Sequence, residues 1–307
     1  MSEATEKTRY APRFERVETP MPFRITERDL EILRWLSRCR YLRTGQVHRL
    51  VFAENATDQS ARRRLKLLYH GGFIGRIEPK TTIGHGSAEI AYYLEKDGAE
   101  VLAGMGETPR VYGKAGKVGP LFLEHALDVS EFRVMTELAL RDHPAVALAR
   151  FVADFEIKSE AKPGGGKERY ALYSAMAEPL TGRTLEVYPD ALVILRGTGE
   201  FAEHQELFMV EIDRGTEDLT RIQDKVRGYH QFAKERAFQK FGRFTDFLVL
   251  MQTSSRRRAG NMRDALQGFA GTERVWITSV DQVEPATVLA SPIWRDHENK
   301  ARQVLRG

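Results

Sequence analysis

Late in the chain, two short apolar runs each carry a carboxylate at one end, and the way they must pair governs what the C-terminal half can fold into. Tyr188-Pro189-Asp190 opens the run Ala191 to Leu195; after the polar stretch Arg196 to Glu206 a second run, Leu207 to Ile212, closes on Glu211-Ile212-Asp213. Apolar runs of this length around a polar turn read as neighbouring antiparallel strands. In that pairing the first residue of one lies beside the last residues of the other, so Asp190 meets Glu211 and Asp213. Residues two apart on a strand share a face, and opposed residues hold their Cβ atoms about 4.5 to 5.5 Å apart. Three like charges that close require a bound cation, a raised pKa or an adjacent base. Hard carboxylate oxygens at a strand end suit Mg2+ or Mn2+, so Asp190, Glu211 and Asp213 are expected metal ligands and catalytic groups.

A length of 307 residues, 42% of them hydrophobic, accommodates two domains with separate cores. The 47 Lys+Arg nearly balance 43 Asp+Glu, but the cations are segregated. Arg62, Arg63, Arg64 and Lys66 form one knot, and Arg256, Arg257, Arg258 and Arg263 another, the pattern of a protein that grips a polyanion at two places; the plainer reading is two solvated helix faces. Cys39 is the single cysteine, which excludes a disulfide framework or a thiolate zinc site and suits a reducing cytoplasm. There is no His-x-His or His-Glu-x-x-His motif for zinc. Met1 to Arg16 is polar, without the apolar core of a signal peptide, and no apolar run approaches the ~20 residues that span a bilayer. A soluble cytoplasmic protein without a membrane partner is expected, its first 22 residues disordered.

The pattern turns helical at Thr26, an N-cap followed by the stripe Leu30, Ile32, Leu33, Trp35 and Leu36. A second helix starts at Thr44 and a third runs from Thr57-Asp58 to the Gly71-Gly72 stop, together a helix-turn-helix. The third helix would offer Gln59, Ser60, Arg62, Arg63 and Lys66 to a major groove. Phe73 to Ile77 and Ile90 to Leu94, around the loop Gly84 to Gly86, read as a winged hairpin whose Arg76, Lys80 and His85 touch phosphates or the minor groove. This winged-helix domain spans 23–103, and the aperiodic Gly, Lys and Pro stretch 104–119 reads as a linker. From 120 to 307 the chain alternates: a helix at Pro120 to Asp142, strands at 149–157, 171–175, 185–195 and 207–213, a helix at 216–235, a strand at 247–252, a helix at 256–269 and a strand at 274–279. That order describes an α+β or α/β domain with a mixed sheet flanked by helices. Arg256, Arg257 and Arg258 follow Thr253-Ser254-Ser255 at a helix start, where charge and free N–H groups would grip backbone phosphates together.

Several of these residues also carry a resemblance. Leu123 to Val129 (Leu-Glu-His-Ala-Leu-Asp-Val), Pro189-Asp190-Ala191, Val210 to Glu217 (Val-Glu-Ile-Asp-Arg-Gly-Thr-Glu) and Lys225 with Tyr229, in this order behind a winged helix, resemble the plasmid replication-relaxation family over Arg24 to Ser279. The C-terminal half resembles the PD-(D/E)XK nuclease fold. The nuclease motif implies Glu-x-Lys on the second strand, whereas here the third position is Asp213. Lys225, at the flank of the helical stripe Leu219, Ile222, Val226 and Tyr229, is expected to supply the missing cation. Glu131, on the helix before the sheet, is a second-tier outer carboxylate, and Tyr229 either attacks DNA as a relaxase nucleophile or packs beside the stripe. The resemblance implies a Mg2+-dependent (or Mn2+-dependent) DNA nuclease or nickase acting at a plasmid or mobile-element origin. The alternative is a DNA-binding replication accessory or repressor whose nuclease-like domain serves assembly. A homodimer on paired half-sites suits either.

Overall fold

The computed structural model describes residues 15–20, 22–53, 56–78, 89–113, 115–158, 165–179 and 181–305. The chain forms two compact units, Met1–Ser130 and Glu131–Gly307. Among the described residues no helix is long and apolar enough to cross a membrane.

In the first unit, α1 (Glu27–Cys39) starts where expected: Asp29 in its first turn accepts from both the backbone N–H and the hydroxyl of Thr26, each at 2.7 Å. The same fully buried carboxylate takes Nε of Arg64 at 2.8 Å. Arg64 thereby pins α3 (Asp58–His70) to α1, so this member of the basic knot belongs to the core. Between them lie β1 (Leu42–Arg43) and α2 (Thr44–Val51), and α3 is followed by β2 (Ile74–Ile77), β3 (Ala91–Leu94) and α4 (Lys96–Ala103). The three strands make an antiparallel sheet in the order β1-β3-β2. The α4 helix is invisible to propensity because Gly98 sits in its middle. Packing explains the glycine, since a Cβ there would lie 2.2 Å from the Phe73 carbonyl oxygen.

Two stretches without periodicity are anchored. Arg16 donates to the Ile74 carbonyl at 3.0 Å and pairs with Glu95, and Val17 N–H meets His70 Nδ1 at 3.4 Å. These residues fall in the tail expected to be disordered; residues 1–14 lie outside the described residues. Segment 104–119, expected as a linker, returns to α1 and the turn after it: Glu107 pairs with Arg34 at 2.8 Å, Arg110 N–H donates to Ser37 Oγ at 2.7 Å, and the Ala115 carbonyl accepts from the Tyr41 hydroxyl, just beyond α1, at 2.9 Å. The division between units falls instead inside the next helix, α5 (Pro120–Arg141).

The second unit continues with β4 (Val146–Ala153), β5 (Ser174–Ala177), β6 (Thr184–Val187), β7 (Ala191–Gly197), β8 (Gln205–Asp213), α6 (Leu219–Lys234), β9 (Leu248–Thr253), α7 (Arg256–Ala265), β10 (Val275–Ser279), β11 (Trp294–Arg295) and β12 (Ala301–Arg302). The described residues build one large mixed sheet, order β12-β11-β10-β9-β8-β7-β4, parallel across β8, β9 and β10 and antiparallel elsewhere. The strand expected over 185–195 breaks at Tyr188-Pro189-Asp190, because proline has no N–H for a ladder. Its first half, β6, pairs with β5 as a separate hairpin, and its second half, β7, enters the large sheet. On one face α6 and α7 set Ile222, Val226, Phe232, Met262 and Leu266 against Leu192, Met209, Val249 and Met251 of the strands. Burial of that layer holds α6 against the ends of β7 and β8, which places its polar residues at the site described next.

Candidate active site

Pairing of Ala191 with Val210, and of Ala153 with Ala191, puts three acids from adjacent strands side by side. Asp154 follows β4, Asp190 precedes β7 and Glu211 lies within β8. The backbone continues the ladder past the strand ends: Asp154 N–H donates to the Asp190 carbonyl at 2.9 Å, and Asp190 Oδ2 accepts from Ile212 N–H at 2.7 Å. Asp190 is thus fixed by β8 itself.

Glu211 is 4% exposed. Lys225 Nζ donates to its Oε2 at 2.8 Å, and the Tyr229 hydroxyl donates to its Oε1 at 2.6 Å. Lys225 and Tyr229 are one helical turn apart on α6, so one face of that helix supplies both donors. Lys225 also lies 2.9 Å from Glu217 Oε2. Burial pushes the Glu211 carboxyl up, against the pull of Lys225. For Lys225, burial opposes the charge, but Glu211, Asp190 and Glu217 outweigh it and carry the ammonium above the ordinary lysine range. Burial and the neighbouring Glu211 carboxylate hold the Tyr229 phenol protonated, well above the usual tyrosine range. In this arrangement the phenol donates to Glu211 and orients that carboxylate.

These groups open into a cavity of about 470 Å³ lined by six carboxylates (Asp154, Glu186, Asp190, Glu211, Glu217, Asp224) and four cations (Lys167, Arg183, Arg221, Lys225). The excess of hard oxygen donors fits a divalent cation such as Mg2+. Each Glu211 oxygen, having accepted one protein hydrogen bond, keeps a lone pair for a further partner, and Asp190 stands beside it. Asp154 and Asp190, which offer ligand atoms within 4.8 Å of one another, and Glu211, which also lines the cavity, are the residues of this unit that could hold the ion.

Asp213 is expected in the same group and is placed elsewhere. Its carboxylate is 1% exposed and is held by Arg258 Nε at 3.0 Å, by the Thr253 hydroxyl and by Gly215 N–H at 3.0 Å. The cause is the register: Asp213 is the Cα partner of Thr253 on β9, and α7 starts just beyond, delivering Arg258. Arg258, which also donates to the Glu217 carbonyl, is spent on this contact and not on the outer surface. Arg256 pairs with Asp281 at 2.8 Å on the surface, and Arg257 is exposed. Glu131 is half-buried on α5 and is not among the residues lining the cavity. Asp154 and Glu217, which do line it, are missing from the sequence expectation. Asp154 had a signal, because like Asp190 it is an acid bordering an apolar run; Glu217 had only its place before the Asp218 N-cap of α6.

In the first unit, α3 exposes Gln59, Ser60, Arg62 and Arg63, with Lys66 half-buried. Arg76, expected on phosphates, has a side chain only 9% exposed, stacked over Tyr69 at 4.1 Å and paired with Glu78 at 3.0 Å. Its charge is consumed by the fold. Lys80, His85 and the glycines at 84 and 86 lie outside the described residues.

Fold and site together define a two-unit α/β protein with an acid-lysine cluster at the strand ends of a mixed sheet. The replication-relaxation family model matches residues 33–246, more than two-thirds of the chain, and the chain belongs to that family. The match takes in Asp154, Asp190, Glu211, Lys225 and Tyr229 and stops before β9. No curated protein matches the chain.

Proposed function

We propose that this chain is a DNA-acting protein of plasmid or mobile-element replication whose second unit, a PD-(D/E)XK nuclease-like domain, cleaves or nicks DNA with Mg2+ or Mn2+, directed by a winged helix in the first unit. The observation that carries this reading is the Lys225 ammonium 2.8 Å from Glu211, beside Asp190. In this reading Lys225 of α6 takes the role of the cation absent from the second strand, where Asp213 stands. The exposed Gln59, Ser60, Arg62 and Arg63 of α3 suit base edges and phosphates in a major groove.

Asp190 and Glu211 would hold the ion, which when bound supplies Lewis-acid polarisation of a phosphate and an acidified water. Lys225 favours the ionised form of Glu211 against its burial, orients it and offers positive charge toward a phosphoryl oxygen. Tyr229 fixes the other Glu211 oxygen. The alternative, a cleavage-inactive DNA-binding accessory or repressor, is favoured by one observation: both Glu211 oxygens already accept protein donors in a buried setting.

Supercoiled plasmid incubated with the full chain and Mg2+ or Mn2+ decides between the two. The active reading expects nicked or linear product, lost in Asp190→Ala and Glu211→Ala while DNA binding persists. Absence of product from the wild-type chain with either ion supports the binder.

A further inference from the structure

Between α6 and β9 the chain makes a compact turn whose aromatic side chains face inward and whose cations face outward. Phe238 and Phe244 are buried, and Phe247 packs its ring 5.3 Å from Phe238, 5.7 Å from Phe232 and 6.1 Å from Tyr229. The turn is therefore clamped to the same helix that carries Lys225. Arg236, in the left-handed region at φ 54°, turns the backbone out of α6. Arg236, Lys240 and Arg243 are all exposed at the surface and line a cavity of about 630 Å³ whose wall, among the described residues, holds no acid.

The acids nearest in sequence are engaged elsewhere: Glu235 accepts from Gln231 at 2.7 Å, and Asp246 pairs with Arg274 at 2.9 Å. Lys240 donates to the Tyr173 carbonyl and the Ser174 hydroxyl. Although its side chain reaches the surface, the ammonium end is partly desolvated where it packs on β5, and this together with the charge of Lys158 brings it down to about 8. A shallow surface lined by three cations, with no acid among its described residues, is matched to a polyanion.

Its position names the polyanion. Lys240 sits at the start of β5, and the partner strand β6 lines the acidic cavity through Thr184 to Val187. The hairpin β5-β6 thus touches the basic turn through the start of β5 and the cavity through β6. We propose that the 236–245 turn is a second nucleic-acid surface, holding the sugar-phosphate backbone of a DNA strand that continues over the hairpin from the Asp190–Glu211 cavity. This rests on the DNA reading given above.

The test measures binding of fluorescein-labelled single- and double-stranded oligonucleotides to the full chain in EDTA, across a series of NaCl concentrations. Compared are the wild type, the double variant Arg236→Glu/Arg243→Glu, and the control Lys300→Glu, whose lysine pairs with Glu298. Loss of two phosphate contacts lowers the slope of log affinity against log salt by about 1.8 on duplex or about 1.4 on single strands. The expected result is that change with at least a tenfold loss of affinity, while the control and the urea midpoints match wild type. An unchanged slope with affinity within twofold of wild type overturns the proposal, as does a wild-type chain that binds neither oligonucleotide. A slope change in a chain that never cleaves plasmid removes the nuclease reading alone, and an unchanged slope in a chain that does cleave removes the basic turn alone.

Discussion

Among single residues, Glu211 is a buried carboxylate that is held because two donors from one helical turn meet it. Glu211 is 4% exposed, and the Lys225 side chain about a quarter exposed, so removing one partner strands a charge where water reaches it poorly. Breaking a buried pair costs about 3 to 5 kcal/mol, and the access at Lys225 places this case near the lower end. Lys225→Met is expected to lower unfolding free energy by about 3 kcal/mol in urea titration. Glu211→Gln with Lys225→Met is expected to lose much less than the sum of the single losses, because no charge is left alone. Additive losses would show that the two side chains are not coupled. The same logic explains why Asp213 was misplaced by sequence: its spacing from Glu211 gives the right face of β8, but nothing in the chain order announces that Thr253 and Arg258 will reach it first.

Among the elements, α3 makes the clearest prediction, through its last residue. His70 is 7% exposed and its Nδ1 accepts from Val17 N–H, so the folded ring is held neutral. Burial first, then the charges of Lys66, Arg76 and Arg16, lower its pKa below the ordinary 6.5. A histidine with a lowered folded pKa leaves the unfolded chain binding more protons between the two values, so stability rises with pH there. The full contribution is present above pH ~6.5 and is lost as pH falls below it. The urea midpoint of wild type is expected to drop more between pH 7.5 and 5 than that of His70→Gln, which keeps an acceptor but does not titrate. Equal drops would exclude His70 as the source. Elements with strong local signals were legible: α1 from its Thr26 cap and stripe, α3 from Thr57 to its glycine stop, β7 and β8 from their apolar runs. Those set by contacts were not. α4 hides behind Gly98, which propensity reads as a breaker and Phe73 requires; Arg16 and segment 104–119 look like tail and linker until their partners on the first unit are seen.

Over the whole molecule, each unit carries its own polar surface or site: an exposed polar and cationic face on α3 in the first, a cavity at the strand ends in the second. The order of motifs made the family legible, and the apolar runs brought Asp190 to Glu211 by register alone. Asp154 was missed because β4 ends earlier than its sequence suggests, at Ala153 and not near Ile157. In the proposed function, Asp190 and Glu211 form one place able to take a divalent ion, with Lys225 beside it. Crystals of the full chain soaked in Mn2+ and measured at the manganese absorption edge test it directly. The account predicts one anomalous peak within ligand distance of both Asp190 and Glu211 carboxylates, absent from Asp190→Ala crystals; no peak there at saturating Mn2+, or a peak bound only by other residues, would contradict it.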